Sequence, residues 1–360
     1  MEAFGGLGGI AKYNRDFLRA LCSAPEVSEV VAVPRRMLLA PEPMPSKLTY
    51  ITAALPNRIA YIKAVIKLLK ENSRFDVIGC GHIKLLPMAL LAKLVTRAPL
   101  FIVIYGIDAW KPINNAIVKY LLTKIDAIIS ISEITKQRFI EWSHLTHKPC
   151  FILPNAIAQR NYGVGPKSQD LLERYGLSGK TVLMTLGRLA PEEQYKGFDE
   201  IMEMLPLIAE QIPQIAYLIV GDGKDRARLE AKAQALGVGD RVVFTGFISE
   251  AEKADHYRLA DAFVMPGRGE GFGFVFLEAL ACGIPVVGSK LDGSREALRG
   301  GALGILVDPG RLEEIQAGVL KALQQPRGVI PAGLDYFSFE NFARRCHDIL
   351  RQVLKVRRAA

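Results

Sequence analysis

Two glutamates, Glu270 and Glu278, bracket the segment Glu270-Gly271-Phe272-Gly273-Phe274-Val275-Phe276-Leu277-Glu278. The apolar run Ala262–Met265 ends just before it at Pro266 and Gly267, so the first carboxylate belongs on a loop where a strand gives way to a helix. Glycine at 271 and 273 lets the backbone approach a ligand with no intervening Cβ. The helix starting near Phe274 and Val275 points its first N–H groups at anything anionic. Glu278 falls about two turns into that apolar helix, where a solvated glutamate is out of place. Gly283 and Pro285 then end the helix. Either glutamate alone reads as surface charge. One carboxylate for hydroxyls, amides for a phosphate and a second carboxylate behind them make a site suited to a nucleotide sugar.

Positive charge recurs at a second strand end. Gly187-Arg188 closes the run Met184-Thr185-Leu186, and Lys196-Gly197 follows at the entry to the next helix. A sugar leaves a nucleoside diphosphate when charge builds on the β-phosphate, so cations and N–H donors belong there. Other strand-end candidates are Gly8 and Gly9 in Gly5-Gly6-Leu7-Gly8-Gly9, His82, Tyr105 and Asp108 in Tyr105-Gly106-Ile107-Asp108, and Ser132, which reads first as a helix cap. Gly221 belongs to a turn shaping the floor of a cleft, and Phe247-Ile248 follows a further strand. His144, His147, His256 and His347 show no metal-ligand spacing, and no metal is expected.

Strands alternating with helix-length segments must position these residues, the pattern of parallel sheets wound on both faces. The expected strands are Val30–Val33, Leu48–Thr52, Asp76–Cys80, Leu100–Tyr105, Ala127–Ser132 and Cys150–Leu153, then Thr181–Leu186, Ala216–Val220, Val242–Thr245, Ala262–Met265, Pro285–Gly288 and Gly304–Val307. The 360 residues fit two domains. Ala156–Ser168, polar and without periodicity, is the linker, giving domains at 1–160 and 161–340 and a C-terminal helix at 341–360 that ends in a basic tail. No apolar run is long enough to span a bilayer. Five scattered cysteines read as reduced thiols, which fits a cytoplasmic protein. Residues 1–170 hold 22 Lys+Arg against 12 Asp+Glu, so the net charge of +9 comes from the first half. That half suits an anionic partner such as a membrane surface, a lipid diphosphate or an acidic glycan, and no motif for nucleic acid is present. The segment Arg58–Lys70 reads as a basic amphipathic helix, either a core helix with a solvated lysine face or a membrane-surface helix.

The Glu270–Glu278 segment resembles the E-x7-E motif of glycosyltransferase family 4, and Gly187-Arg188 with Lys196-Gly197 resembles that family's G-R…K-G signature. The resemblance runs over nearly the whole chain. It implies a retaining hexosyltransferase of GT-B fold, two Rossmann-like domains facing across a cleft, with the C-terminal helix crossing back to the first. It also implies roles: Arg188 and Lys196 on the diphosphate, Glu270 on the donor sugar, and Glu278 on the ribose. Backbone around Phe247 and Ile248 faces the base, and the Gly8-Gly9 loop approaches the phosphates. Glu270, Arg188 and Lys196 are the expected catalytic set, with Gly187, Gly221, Gly271, Phe272, Gly273, Phe274 and Val275 lining the donor. His82, Tyr105, Asp108 and Ser132 are the acceptor- or sugar-proximal set. The family commonly has His at the position of Tyr105, and a tyrosine cannot shuttle a proton at neutral pH.

No cofactor is expected beyond the substrate, a nucleoside diphosphate sugar of UDP or GDP type. The acceptor is a glycan or lipid-linked glycan of bacterial cell-surface polysaccharide or glycolipid synthesis, met peripherally at the inner face of the membrane. A nucleotide-sugar epimerase of the same fold and a non-catalytic GT-B binding module are the alternatives. Only Met1-Glu2-Ala3-Phe4 precede the first glycine loop, so the strand that opens such a domain is expected to be missing.

Overall fold

The computed structural model describes residues 2–356 and divides the chain into two compact units, Met1–Ala156 with Phe337–Ala360 and Ile157–Tyr336. The basic tail at residues 357–360 lies outside the described residues. Unit 1 carries 26 Lys+Arg against 13 Asp+Glu, a net of +13, and unit 2 carries 20 against 24, a net of −4.

In unit 1 the strands are β1 (Val30–Ala32), β2 (Leu48–Tyr50), β3 (Ile78–Cys80), β4 (Leu100–Ile104), β5 (Ala127–Ser130) and β6 (Cys150–Ile152), all paired in parallel. Every residue of β4 and β5 is buried, which is why both read as unbroken apolar runs instead of alternating. Four strands form one sheet, β3-β4-β5-β6, and β1-β2 form another. The Gly8–Ser23 helix packs on the C-terminal Phe339–Val356 helix, with the Tyr13 and Phe342 rings edge to face at 5.7 Å. The Tyr13 hydroxyl, buried on that helix, donates to the Leu153 carbonyl at 3.1 Å.

β1 and β3 each pair on one side only. A cavity of about 1180 Å³ lies beside both, with Val31 and Val33 on one wall, Ile78 and Phe101 on another, and Val65 and Leu350 from helices. Residues 2–4 form no strand, and Ala3 makes a single isolated bridge to Gly5.

Unit 2 is one six-stranded parallel sheet: β7 (Thr181–Leu186), β8 (Ile215–Val220), β9 (Val242–Phe244), β10 (Ala262–Val264), β11 (Val286–Ser289) and β12 (Ile305–Val307), in the order β12-β11-β10-β7-β8-β9. β8 is buried throughout. Its core includes Tyr217 and Ile219, with Ile201, Leu205 and Ile208 from the Phe198–Gln211 helix. The chain winds outward from β7 to β8 and β9, then returns to place β10 on the other side of β7. In open parallel sheets such a reversal opens a crevice at the carboxyl ends of the two strands. Arg188 follows β7, and Glu270 follows β10.

Candidate active site

The loops after β7 and β10 are stitched together by glycines. The Arg268 amide donates to the Tyr195 carbonyl at 2.8 Å. Gly269 lies under the Tyr195 ring, where a Cβ would come within 2.4 Å of Cδ2, and a Cβ on Gly197 would lie 2.8 Å from the Pro266 carbonyl oxygen. Gly197 has φ +89°, so its left-handed backbone both ends the short 3-10 turn Pro191–Lys196 and starts the Phe198–Gln211 helix. Gly221, after β8, has its amide on the Gly246 carbonyl at 3.1 Å, and a Cβ there would lie 2.0 Å from the Gly187 carbonyl oxygen. Only glycine lets the ends of β7, β8 and β9 converge this closely.

Between those loops sit the charges. Lys196 is mostly enclosed, its Nζ 2.9 Å from Glu193 Oε2, and its stem runs beside Gly187. The Arg188 side chain is 71% exposed and donates to Glu193 Oε1. Burial works to raise the Glu193 carboxyl, but the Arg188 hydrogen bond and the Lys196 charge outweigh it and hold the group below the usual carboxylate range. Glu270 goes the other way. Burial pushes its carboxyl up, Lys196 opposes this, and the neighbouring Asp292 and Glu193 charges add to it.

The Glu270 loop is over-determined. The Glu270 amide donates to Asp292 Oδ2 at 3.0 Å, its carbonyl accepts from Gly293 N at 2.8 Å, and Gly271 N donates to Glu270 Oε1 at 3.1 Å. The Phe272 amide also faces this carboxylate. Two amides that the sequence reserved for a phosphate thus turn onto Glu270 itself. Phe272 is buried, Gly273 has φ +89°, and Phe274 and Val275, half-buried, open the helix Phe274–Ala281.

Glu278 lies one turn into that helix, not two, because the helix begins at Phe274. Its side chain is 1% exposed; Oε2 accepts from the Tyr257 hydroxyl at 3.0 Å and sits 3.7 Å from Lys253 Nζ. Phe247 is 81% exposed just after β9, with Ile248 half-buried beside it.

In unit 1 the candidates line the carboxyl ends of β3, β4 and β5. His82 caps a 3-10 turn, its Nδ1 accepting from Lys84 N at 3.0 Å; burial lowers its pKa, so the ring is neutral with the proton on Nε2. Tyr105 is buried, and its hydroxyl donates to Asn14 Oδ1 at 2.7 Å, a use that the sequence did not reveal. Asp108 Oδ2 is enclosed without a hydrogen-bond partner among the described residues, and burial pushes its carboxyl up to about 6. Ser132 caps the Glu133–Ser143 helix through Thr135 N at 3.2 Å. Gly8 and Gly9 are exposed at the start of their helix, where Leu7 supplies no side-chain cap.

Sequence reasoning missed Glu193 and Asp292. Asp292-Gly293-Ser294 carries an Asx-turn signature that would have marked it, since Asp292 Oδ1 accepts from Ser294 N at 3.0 Å. Nothing local distinguishes Glu193 from its exposed neighbour Glu192.

Comparison with known proteins bears on this arrangement. Residues 169–331 match the glycosyl transferases group 1 family, and residues 7–159 match Glycosyltransferase Family 4. The chain is 31% identical over 295 residues to a GDP-mannose-dependent alpha-(1-6)-phosphatidylinositol monomannoside mannosyltransferase of Mycolicibacterium smegmatis, covering 76% of this chain and 75% of that protein. It is 30% identical over 260 residues to a phosphatidyl-myo-inositol mannosyltransferase of Mycobacterium tuberculosis, covering 71% of this chain and 65% of that protein. Among solved structures, Anabaena HepE in complex with UDP aligns with a TM-score of 0.75 at 19% identity, over 98% of each chain. The lipopolysaccharide outer core galactosyltransferase WaaB aligns with a TM-score of 0.72 at 18% identity, also over 98% of each. Together with the two parallel-sheet units, these matches show that the chain belongs to the group 1, family 4 glycosyltransferases of GT-B fold and is a hexosyl-transferring enzyme.

Proposed function

We propose that this enzyme moves a hexose, with retention of configuration, from a nucleoside diphosphate sugar to a lipid-linked glycan acceptor. The observation that carries the reading is the Arg188, Lys196 and Glu270 cluster on the two strand ends at the switch point of unit 2. Lys196 and Arg188 take the charge that builds on the β-phosphate as the bond from the anomeric carbon to its oxygen breaks. The acceptor oxygen bonds that carbon, and the departing phosphate receives the acceptor's proton. Glu270, tied down by the amides of Gly271 and Phe272, suits binding of a donor-sugar hydroxyl better than attack on carbon. Glu278 is assigned to the ribose side and Phe247-Ile248 to the base. The uncapped start of the Gly8–Ser23 helix is assigned to a substrate phosphate.

GDP-mannose is the donor to test first, because the M. smegmatis relative is described as dependent on it. A phosphoinositide-type glycolipid is the matching acceptor. The charge of unit 1 supports this, as does the Arg58–Glu71 helix, which exposes Ile59, Ile62 and Ile66 beside Lys63, Lys67 and Lys70. A helix of that kind lies on an anionic membrane surface, where the protein binds peripherally.

The test is to supply GDP-mannose or UDP-glucose with a phosphatidylinositol mannoside in mixed micelles and to read the products by mass spectrometry. A lipid heavier by one hexose is expected, and Glu270→Ala should all but remove it. An isomerised donor with no glycosylated lipid would overturn the transfer reading.

A further inference from the structure

Among the described residues, Glu193 is the one carboxylate that both diphosphate-side cations share. Its two oxygens are divided between them, Oε1 to Arg188 and Oε2 to Lys196 Nζ at 2.9 Å. The side chain is 14% exposed, far more enclosed than a surface glutamate, whereas the adjacent Glu192 is exposed. Glu193 is also the residue at which the Pro191–Lys196 turn leaves helical backbone, with φ −116° and ψ 23°. The carboxylate therefore sits on a kink, flanked by Arg188 before the turn and Lys196 at its end.

We infer that Glu193 is a built-in competitor for the diphosphate, a residue that sets how tightly the nucleotide is held. This rests on the reading of Arg188 and Lys196 as diphosphate ligands. One carboxylate leaves this trio with a net positive charge, enough to attract an anion. A diphosphate brought to the same two cations places further negative charge against Glu193, and the two repel. Binding thus requires Arg188 and Lys196 to trade one anionic partner for another, with the turn yielding at Glu193. The exchange limits affinity for the donor and, equally, for the nucleoside diphosphate left after transfer. In that role Glu193 touches neither sugar nor acceptor. It acts through the two cations as a positioning and affinity-setting residue.

The experiment is a titration of GDP and UDP against the full chain by isothermal calorimetry at two salt concentrations, for wild type, Glu192→Gln, Glu193→Gln and Glu193→Ala. Wild type and Glu192→Gln should bind alike. Both Glu193 variants should bind about tenfold or more tightly, the range that close charge pairs carry, and their affinity should fall more steeply with salt. The nucleotide-induced rise in melting temperature should grow in step, which reads out any variant too unstable for calorimetry. The same substitution placed on Lys196→Ala should give a much smaller gain. Unchanged or weaker nucleotide binding by Glu193→Gln, with wild type binding normally, would overturn the inference and leave the donor site standing. Failure of wild type to bind either nucleotide would overturn the donor reading and this inference with it.

Discussion

The Tyr257 hydroxyl donates to Glu278 Oε2 across 3.0 Å inside the core of unit 2, where the carboxylate is closed to solvent. The second glutamate of the motif is thus held in place as a buried charge before any ligand question arises, with Lys253 at 3.7 Å and Tyr162 also against it. Burying a carboxylate is tolerable only with such donors and a countercharge.

Removing one donor should be costly. Tyr257→Phe keeps the ring and deletes the hydroxyl, so it should lower the stability of unit 2 by about 1–3 kcal/mol, the cost of under-satisfying a buried carboxylate. Urea denaturation checks this. No loss would mean that Tyr162 and Lys253 alone satisfy Glu278.

The two arms of the donor site should separate kinetically. Lys196→Ala should mainly raise the donor KM and Kd, by about tenfold or more, because it removes charge from a ground-state diphosphate. Glu270→Ala should lower kcat by about a hundredfold or more, since the sugar loses the group that orients it. Near-normal turnover by Glu270→Ala refutes its assignment.

Asp108 predicts a pH dependence. Its carboxyl is raised from the ordinary 3.8 to about 6 by burial, so the folded state prefers the protonated form. Its stabilising effect is full below the unfolded-state value and is lost as pH rises through about 4 to 6. Asp108→Asn should therefore be more stable than wild type at pH 7, by on the order of 2 kcal/mol, and equal to it near pH 4. Asp16, raised to about 6 by burial, titrates in the same window and is common to both proteins. Thermal melts at the two pH values decide it.

The membrane-facing role proposed for the Arg58–Glu71 helix is separable from catalysis. Replacing Lys63, Lys67 and Lys70 by Gln should cut binding to phosphatidylserine vesicles, at about 1 kcal/mol per lysine, and leave binding to phosphatidylcholine vesicles unchanged. Co-sedimentation at low and high salt reads this. Undiminished binding by the triple variant would move the docking surface elsewhere.

What the sequence displayed was periodicity and local spacing. All twelve strands were legible because their apolar runs are bounded by glycine, proline or charge, and the structure shifts their ends by only one or two residues. The Glu270–Gly273 turn and the Arg188 and Lys196 positions were legible for the same reason. Partnerships across long separations were not. Tyr105 finds Asn14 from 91 residues away, and Tyr257 finds Glu278 through packing of two helices. Glu193 escaped notice because it lies five residues after one cation and three before the other, and only a kinked turn brings both onto its carboxylate. The depth of Glu278 was misjudged by a turn because a helix start at a left-handed glycine leaves no capping residue to read.

The cavity beside β1 and β3 is partly open to water, and Glu26, Asn72, Arg74 and Asp76 share its walls with Val31, Val33 and Phe101. Water can therefore satisfy the backbone N–H and C=O groups that the outer edges of those two strands offer to no neighbouring strand. Their amides should accordingly exchange hydrogen faster than those of the fully buried β4 and β5.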